Sequence, residues 1–254
     1  MQPLITLNNV YKSFSLKSHF KGGIKQFLFH FPTVWQEIRH NHHFEVLKGI
    51  SFSIYPGETF GIIGRNGSGK STTLGLIAGV LKPNKGKIIV KGRVSALLEL
   101  GAGFHPDLTG FENIILNGVL LGLTKKEIKS KIEKIIEFSE LGQFIYEPIR
   151  SYSDGMLARL GFSVAIHVEP QILLIDEILA VGDISFQKRC LEKIMEFKKK
   201  KVTIVFVSHG LADVERICDR VALLNNGRLI HIGTPKDTIK KYVQLMECSD
   251  DRDG

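Results

Sequence analysis

The chain has 254 residues, 43% hydrophobic and 24% charged, with a net charge of +8, so it can bury a sizeable core as one large domain or two small lobes. No stretch reaches the roughly 18 to 20 uninterrupted apolar residues of a membrane helix. The start Met1-Gln2-Pro3-Leu4-Ile5-Thr6 lacks the basic and apolar regions of a signal peptide, which predicts a chain made and kept in the cytoplasm. The basic balance suits nucleic acid, an anionic membrane face or a phosphorylated ligand, and does not choose among them. Cys190, Cys218 and Cys248 have neither metal-ligand nor disulfide-framework spacing and are expected as reduced thiols.

Residues 4–14 and 51–63 read as strands, the second broken by the turn Tyr55-Pro56-Gly57-Glu58. The Ile- and Gly-rich run 59–63 leads straight into a glycine-rich loop. Residues 72–80 then predict a helix, closed by Lys82-Pro83-Asn84-Lys85-Gly86, with further strands at 87–90 and 94–98 around Gly92. Thr124-Lys125-Lys126-Glu127 is a capping box, and Ile128, Ile132, Ile135 and Ile136 fall on one face of the helix it opens. With 107–122 and 152–168 also helical in pattern, residues 104–169 read as a helical subdomain inserted into an α/β core. That core resumes at 172–176, an apolar run of buried parallel-strand type. The pattern repeats at 203–208 after the amphipathic helix 184–200. Asn226-Gly227 between 221–224 and 228–232 is a hairpin signal, and a short helix is expected at 235–247 before an acidic tail. Strands alternating with helices predict a largely parallel sheet with helices packed on it.

The segment 15–45 fits less well, because it separates two strands where a short turn would do. It carries Phe20, Phe27, Phe29, Phe31, Trp35, Phe44, several lysines and five of the nine histidines. A loop this long is usually functional or disordered. Its aromatic and basic residues are expected against a membrane face or a membrane partner, by the logic of interfacial segments. A self-packed surface loop is the alternative. His40, His42 and His43 are read as a solvated stretch in preference to a metal site.

The chemistry concentrates in Gly64-Arg65-Asn66-Gly67-Ser68-Gly69-Lys70-Ser71, which matches G-x-x-x-x-G-K-[ST]. The glycines let backbone N–H groups curl around phosphates, and the following helix, entered through Thr72, points its positive end at them. Lys70 supplies a positive charge to the β- and γ-phosphates, and Ser71 a hydroxyl to Mg²⁺. An accidental match in a chain of this length has a probability of roughly 1% at average residue usage. A second element is Ile172-Leu173-Leu174-Ile175-Asp176-Glu177, an apolar strand ending in two carboxylates. Asp176 is aimed at the metal shell, and Glu177 falls where it can orient or deprotonate an attacking water.

Between these elements, Ser151-Tyr152-Ser153-Asp154-Gly155-Met156 resembles the L-S-G-G-Q signature of ATP-binding cassette proteins. Tyr152 replaces Leu, Asp154 the first Gly and Met156 the Gln, while Ser153 and Gly155 are kept. The resemblance implies a P-loop NTPase (RecA-like) α/β core carrying an antiparallel β subdomain and the inserted α-helical subdomain. It also implies ATP and Mg²⁺ as ligands, and a homodimer in which Ser153, Gly155 and Met156 complete the partner's site. Ala180-Val181-Gly182-Asp183 resembles the D-loop, and His209 resembles the switch histidine that contacts the γ-phosphate. Phe14 stands where the family's adenine-stacking aromatic does, with Tyr11 as the neighbouring choice. Glu99 stands where the family has a glutamine touching Mg²⁺ and the transport partner.

The run Leu98-Glu99-Leu100-Gly101-Ala102-Gly103-Phe104-His105-Pro106, the signature variant and Asp176-Glu177-Ile178-Leu179-Ala180-Val181-Gly182-Asp183 together resemble the ATPases of polysaccharide exporters, which serve O-antigen, related surface glycans and teichoic acids. This implies a nucleotide-binding domain over 1–240 with a short tail, 241–254, and no carbohydrate-binding module. It also implies two copies of an integral membrane permease, a place at the cytoplasmic face of the inner membrane, and no nucleic-acid partner. The competing readings are a soluble cassette ATPase acting on nucleic acid or ribosomes, and a P-loop kinase or GTPase. The first has the basic charge in its favour; the second leaves Ser153 to Met156 and His209 unexplained.

Overall fold

The computed structural model describes residues 2–15, 43–97, 103–176, 183–208 and 210–250. Two sheets form the frame. Strands β1 (Ile5–Ser15), β2 (His43–Ile54) and β4 (Lys85–Val90) make an antiparallel sheet in the order β2-β1-β4. The larger sheet runs β5-β6-β7-β3-β8-β9, from β5 (Val94–Leu97), β6 (Ile172–Asp176), β7 (Thr203–Val207), β3 (Thr59–Ile63), β8 (Arg220–Asn225) and β9 (Arg228–Gly233). All its neighbours are parallel except the β8–β9 hairpin. There Asn226 and Gly227 both take positive φ, 48° and 77°, as a two-residue hairpin turn demands.

The central strands are apolar on both faces because both are covered. Leu174 of β6, Val205 and Val207 of β7, and Ala222 and Leu224 of β8 enter one core. Their alternates Leu173, Ile175, Ile204, Phe206, Val221 and Leu223 enter another. The period-2 pleat sends successive side chains to opposite faces, so one run of residues glues three layers. The first core is closed by the antiparallel sheet (Ile5, Leu7, Ile50, Phe52) and by α1 (Lys70–Ile77). The second is closed by α5 (Ile184–Lys199), α6 (Leu211–Ile217) and part of α4 (Asp154–Ile166). Each fully buried Leu, Ile or Phe contributes on the order of 1.5–3 kcal/mol.

The helical subdomain has a third core of its own. It is built from α2 (Gly110–Leu120), α3 (Lys125–Ser139) and the outer face of α4, around Ile114, Ile128, Ile135, Leu160 and Val164. Ile132 and Ile136 pack against it part-buried, so the predicted isoleucine face of α3 is the one that turns inward. The predicted box at α3 is present, Thr124 Oγ1 accepting from Glu127 N while Glu127 accepts from Thr124 N at 2.7 Å. A second box, Thr109 with Glu112, opens α2. Helix α4 belongs to two cores: Leu160 and Val164 face the helical lobe, whereas Phe162, Ala165 and Ile166 face the sheet. The last helix, α7 (Pro235–Asp250), continues through the expected boundary at 240/241. Among the described residues no helix is long and apolar enough to cross a membrane.

Candidate functional site

Strand β3 is buried at every position and delivers the chain to Gly64 at the carboxyl edge of the sheet. The loop is shaped by where a Cβ cannot go. At Gly64, φ is +152° and a Cβ would stand 2.1 Å from Leu224 O; at Gly69, φ is +100° and a Cβ would stand 2.5 Å from Leu47 Cδ2. The antiparallel sheet and β8 thus press on the loop from two sides. Arg65, Asn66 and Gly67 are exposed, whereas Ser68 and Lys70 are buried.

Lys70 Nζ donates to Gly64 O at 2.9 Å and to Arg65 O at 3.2 Å, which folds the loop over its own ammonium group. Thr73 Oγ1 donates to Gly69 O at 2.8 Å. No side chain caps α1, and the first turn of a helix leaves its N–H groups without intrahelical partners. The buried Ser68 Oγ has no hydrogen-bond partner either. Uncapped donors, an orphan hydroxyl and a buried cation together suit a phosphate. Ser71 is exposed and Thr72 half-buried in the same first turn.

Asp176, half-buried, ends β6. It pairs with Val207 of β7, which pairs with Ile62 of β3, two residues before the loop. Two strand spacings put these backbones about 10 Å apart, with the carboxylate on the loop's edge of the sheet. A hydroxyl and a carboxylate flanking a phosphate-shaped loop are the hard oxygen donors that suit Mg²⁺. Glu177, Glu99, His209 and 180–182 lie outside the described residues, as does most of the 15–45 segment. The ends of that segment are neighbours, since Ser15 pairs with His43.

Ser153 is the N-cap of α4, its Oγ accepting from Met156 N at 3.3 Å. Gly155 has open space beside it, the nearest atom to a Cβ being Ser153 Oγ at 3.8 Å, and Met156 is half-buried against the helical core. The departure at Tyr152 has a physical account. The ring is buried, and its hydroxyl donates to Phe144 O. A Cβ on Gly110 would lie 2.4 Å from that oxygen, so the glycine makes room for it. Burial pushes the phenol pKa up to about 12.

Asp183 caps α5 by accepting from Phe186 N at 2.8 Å, and that bond holds its carboxyl below the usual range. Arg159 of α4 joins Asp183 to Glu140, which also pairs with Arg189 of α5 at 2.7 Å. Arg159 lies over the Phe186 ring at 5.0 Å from its centroid. Helix α4 and the N-cap of α5 are therefore tied together within one chain. Neither this network nor the Thr109 box is among the sequence expectations. Thr109 and Glu112 offered the required Thr-x-x-Glu spacing, whereas the network joins residues too far apart in sequence to pair by inspection.

Phe14 is 40% exposed near the end of β1, with Lys12 Nζ 4.9 Å from its ring centroid. Tyr11 is turned away, its hydroxyl 2.8 Å from where a Cβ of Gly49 would be. Of the expected site residues described, those of 64–72 come together at the sheet edge with Asp176. Ser153, Gly155 and Met156 sit on the helical lobe, at the N-terminus of α4.

A family model described as ABC transporter matches residues 47–180. The O-antigen export system ATP-binding protein RfbB of Klebsiella pneumoniae is 56% identical over 97% of this chain and 100% of its own. The teichoic acids export ATP-binding protein TagH of Lactiplantibacillus plantarum is 43% identical over 94% of this chain and 64% of its own. A dimeric ATP-binding cassette solved in a post-hydrolysis state with ADP and Pi aligns at TM-score 0.71 and 20% identity, covering 91% of this chain and 98% of that one, a likeness of fold. Family model, near-full-length relatives and fold agree with the site geometry, and the chain belongs to the ABC transporter family as one of its ATPase cassettes.

Proposed function

We propose that this cassette powers an exporter that moves a lipid-linked, O-antigen-like cell-surface polysaccharide across the cytoplasmic membrane through a separate permease. The observation that carries the reading is the 56% identity to RfbB along the whole of that relative. The glycan-export name of the TagH relative supports it too. The nucleic-acid alternative rests on the +8 charge alone and finds no support in either relative.

In this reading residues 64–72 hold the triphosphate, Lys70 neutralising the β- and γ-oxygens and the α1 N-terminus adding its N–H groups. Ser71 and Asp176, with Glu99, are the groups that would hold Mg²⁺, whose charge offsets that of the phosphates. Glu177 orients and deprotonates the attacking water, and His209 contacts the γ-phosphate. Phe14 stacks on adenine; its exposure, against the tucked-in Tyr11, favours it for that task. Ser153, Gly155 and Met156 of a second copy, with Asp183, complete each site, so identical chains form two sites in a C2 dimer. ATP then favours the closed dimer because only that state adds the signature contacts, and hydrolysis removes the preference. Two permease copies and a peripheral place on the cytoplasmic side of the inner membrane follow.

The test is co-purification from detergent-solubilised membranes. A stoichiometric membrane partner, whose glycan accumulates inside cells when Lys70 is replaced by Ala, is the expected result. A chain recovered without any membrane protein would reject the transport role. Glu177→Gln should bind ATP and trap the dimer with turnover nearly abolished, and undiminished hydrolysis would reject Glu177 as the catalytic carboxylate.

A further inference from the structure

Phe14 and Phe44 are exposed and belong to none of the three cores of the described residues. In the β1–β2 ladder Phe14 is the direct partner of Phe44, as Lys12 is of Leu47. Directly opposed residues of an antiparallel pair project from the same face, with Cβ atoms roughly 4.5–5.5 Å apart. Phe44 is 58% exposed and Phe14 40%, although burial is the usual fate of so large an apolar side chain.

Their position relative to the phosphate loop is set by Leu47. Its Cδ2 stands 2.5 Å from where a Cβ of Gly69 would be, and Val46 O stands 3.1 Å from the same point. The stretch of β2 just after Phe44 therefore lies against the loop. Between the Lys12–Leu47 and Phe14–Phe44 rows, β1 advances two residues, about 7 Å, while β2 spends one extra residue in a bulge. The aromatic pair is thus one pleat repeat beyond the wall of the phosphate loop. Lys12 Nζ lies 4.9 Å from the Phe14 ring centroid and also donates to Lys82 O at 3.0 Å, so one side of that ring has a cationic neighbour.

We propose that Phe44 is a second aromatic wall of the nucleotide-base site, which makes the pair, and not Phe14 alone, the determinant of affinity for the base. The proposal rests on the reading of Phe14 as the adenine-stacking residue. A second π-surface beside the Phe14 ring, on the same face of the ladder, gives a planar base two apolar contacts and no hydrogen-bond readout. Such a wall raises affinity for purine nucleotides as a class and does not distinguish adenine from guanine.

The experiment is calorimetric titration of the full chain with Mg²⁺·ATP, Mg²⁺·GTP and Mg²⁺·tripolyphosphate. Phe44→Ala is expected to weaken both nucleotides about tenfold, a typical size for one base–aromatic contact, and to leave tripolyphosphate unchanged. Phe44→Leu keeps apolar bulk without the ring and should lose affinity in the same direction, which separates stacking from folding. Phe44→Trp in a Trp35→Phe background should bind ATP as the native chain does, with fluorescence quenched by ATP and not by tripolyphosphate. If Phe14→Ala weakens ATP and Phe44→Ala does not, Phe44 is no wall and the proposal falls while Phe14 stands. If neither weakens ATP, the adenine reading itself is wrong. Equal losses for ATP and tripolyphosphate in Phe44→Ala would place the effect in the phosphate loop and overturn the proposal as well.

Discussion

Tyr152 is the departure from the family signature that the structure explains best, and it can be tested by a double-mutant cycle with Gly110. Tyr152→Phe removes a hydroxyl that donates to Phe144 O. A net loss of about 1 kcal/mol is expected, a fall in melting temperature of roughly 2–4 °C for a chain of this size. Gly110→Ala adds a Cβ 2.4 Å from that hydroxyl, 3.0 Å from Ile145 Cδ1 and 3.1 Å from Ile145 O. Overpacking of this kind costs about 1–3 kcal/mol, offset by up to about 1 kcal/mol of helix propensity. With Phe at 152 the worst overlap disappears, so Gly110→Ala should then be close to neutral. The cycle should show a coupling of about 1–2 kcal/mol. Because burial pushes the folded phenol up to about 12 against 10 for the free group, the unfolded chain releases this proton first as pH rises, and stability falls from pH 10 upward until the folded phenol ionises too. The native tyrosine's contribution is complete below pH 10 and lost as pH rises through the folded value, by about 3 kcal/mol in all. Tyr152→Phe should therefore be the less stable chain at pH 8 and the more stable one near pH 12. Urea unfolding monitored by circular dichroism at both pH values is the assay. Additivity of the two substitutions, or no crossover with pH, would refute the reasoning.

Three further outcomes are expected. Ser153→Ala should cost about 1 kcal/mol through the lost helix cap, and Ser153→Gly only a few tenths. If both abolish ATP-driven dimerisation equally, the hydroxyl acts on nucleotide and not only as a cap, whereas recovery with Gly would make it structural. Burial pushes Cys190 and Cys218 up to about 12, so at pH 8 no more than one of the three thiols should react with an aromatic disulfide reagent before denaturant is added. Reaction of two or more in the native chain would contradict the packing. Lys70→Ala should weaken Mg²⁺·ATP at least tenfold while leaving the circular dichroism spectrum unchanged, and an unaltered affinity would remove Lys70 from the phosphate site.

What the sequence made legible was local. The phosphate loop, the Thr124 box and the Asn226-Gly227 hairpin each need only a few adjacent residues, so their chemistry is visible in the string. The Ile172–Asp176 and Thr203–Val207 strands were legible because a strand covered on both faces has no polar alternation. What escaped depends on distant partners. The hydroxyl of Tyr152 makes sense only against Gly110 and Phe144, and Arg159 only against Glu140 and Asp183. The opposition of Phe14 and Phe44 depends on a register fixed by closure of the whole ladder. Thr109 is the exception: its Thr-x-x-Glu spacing is local, but it lies inside the 107–122 pattern, and the helix starts at Gly110, after this cap.

Helix α4 ends in the sheet core and carries Ser153 at its start. Its last turn, Ala165 and Ile166, is set in the core beneath the sheet, and its first residue follows Ser153. Thirteen residues make a rigid rod about 20 Å long. A tilt of roughly 5° about the buried end would carry Ser153 by nearly 2 Å, enough to make or break a hydrogen bond. Arg159, near mid-length, is fastened to Glu140 and Asp183, so any tilt is shared at once with α3 and α5. Small rearrangements where the two lobes meet would therefore be magnified at Ser153, the tip that the proposed function places at a second copy's phosphate.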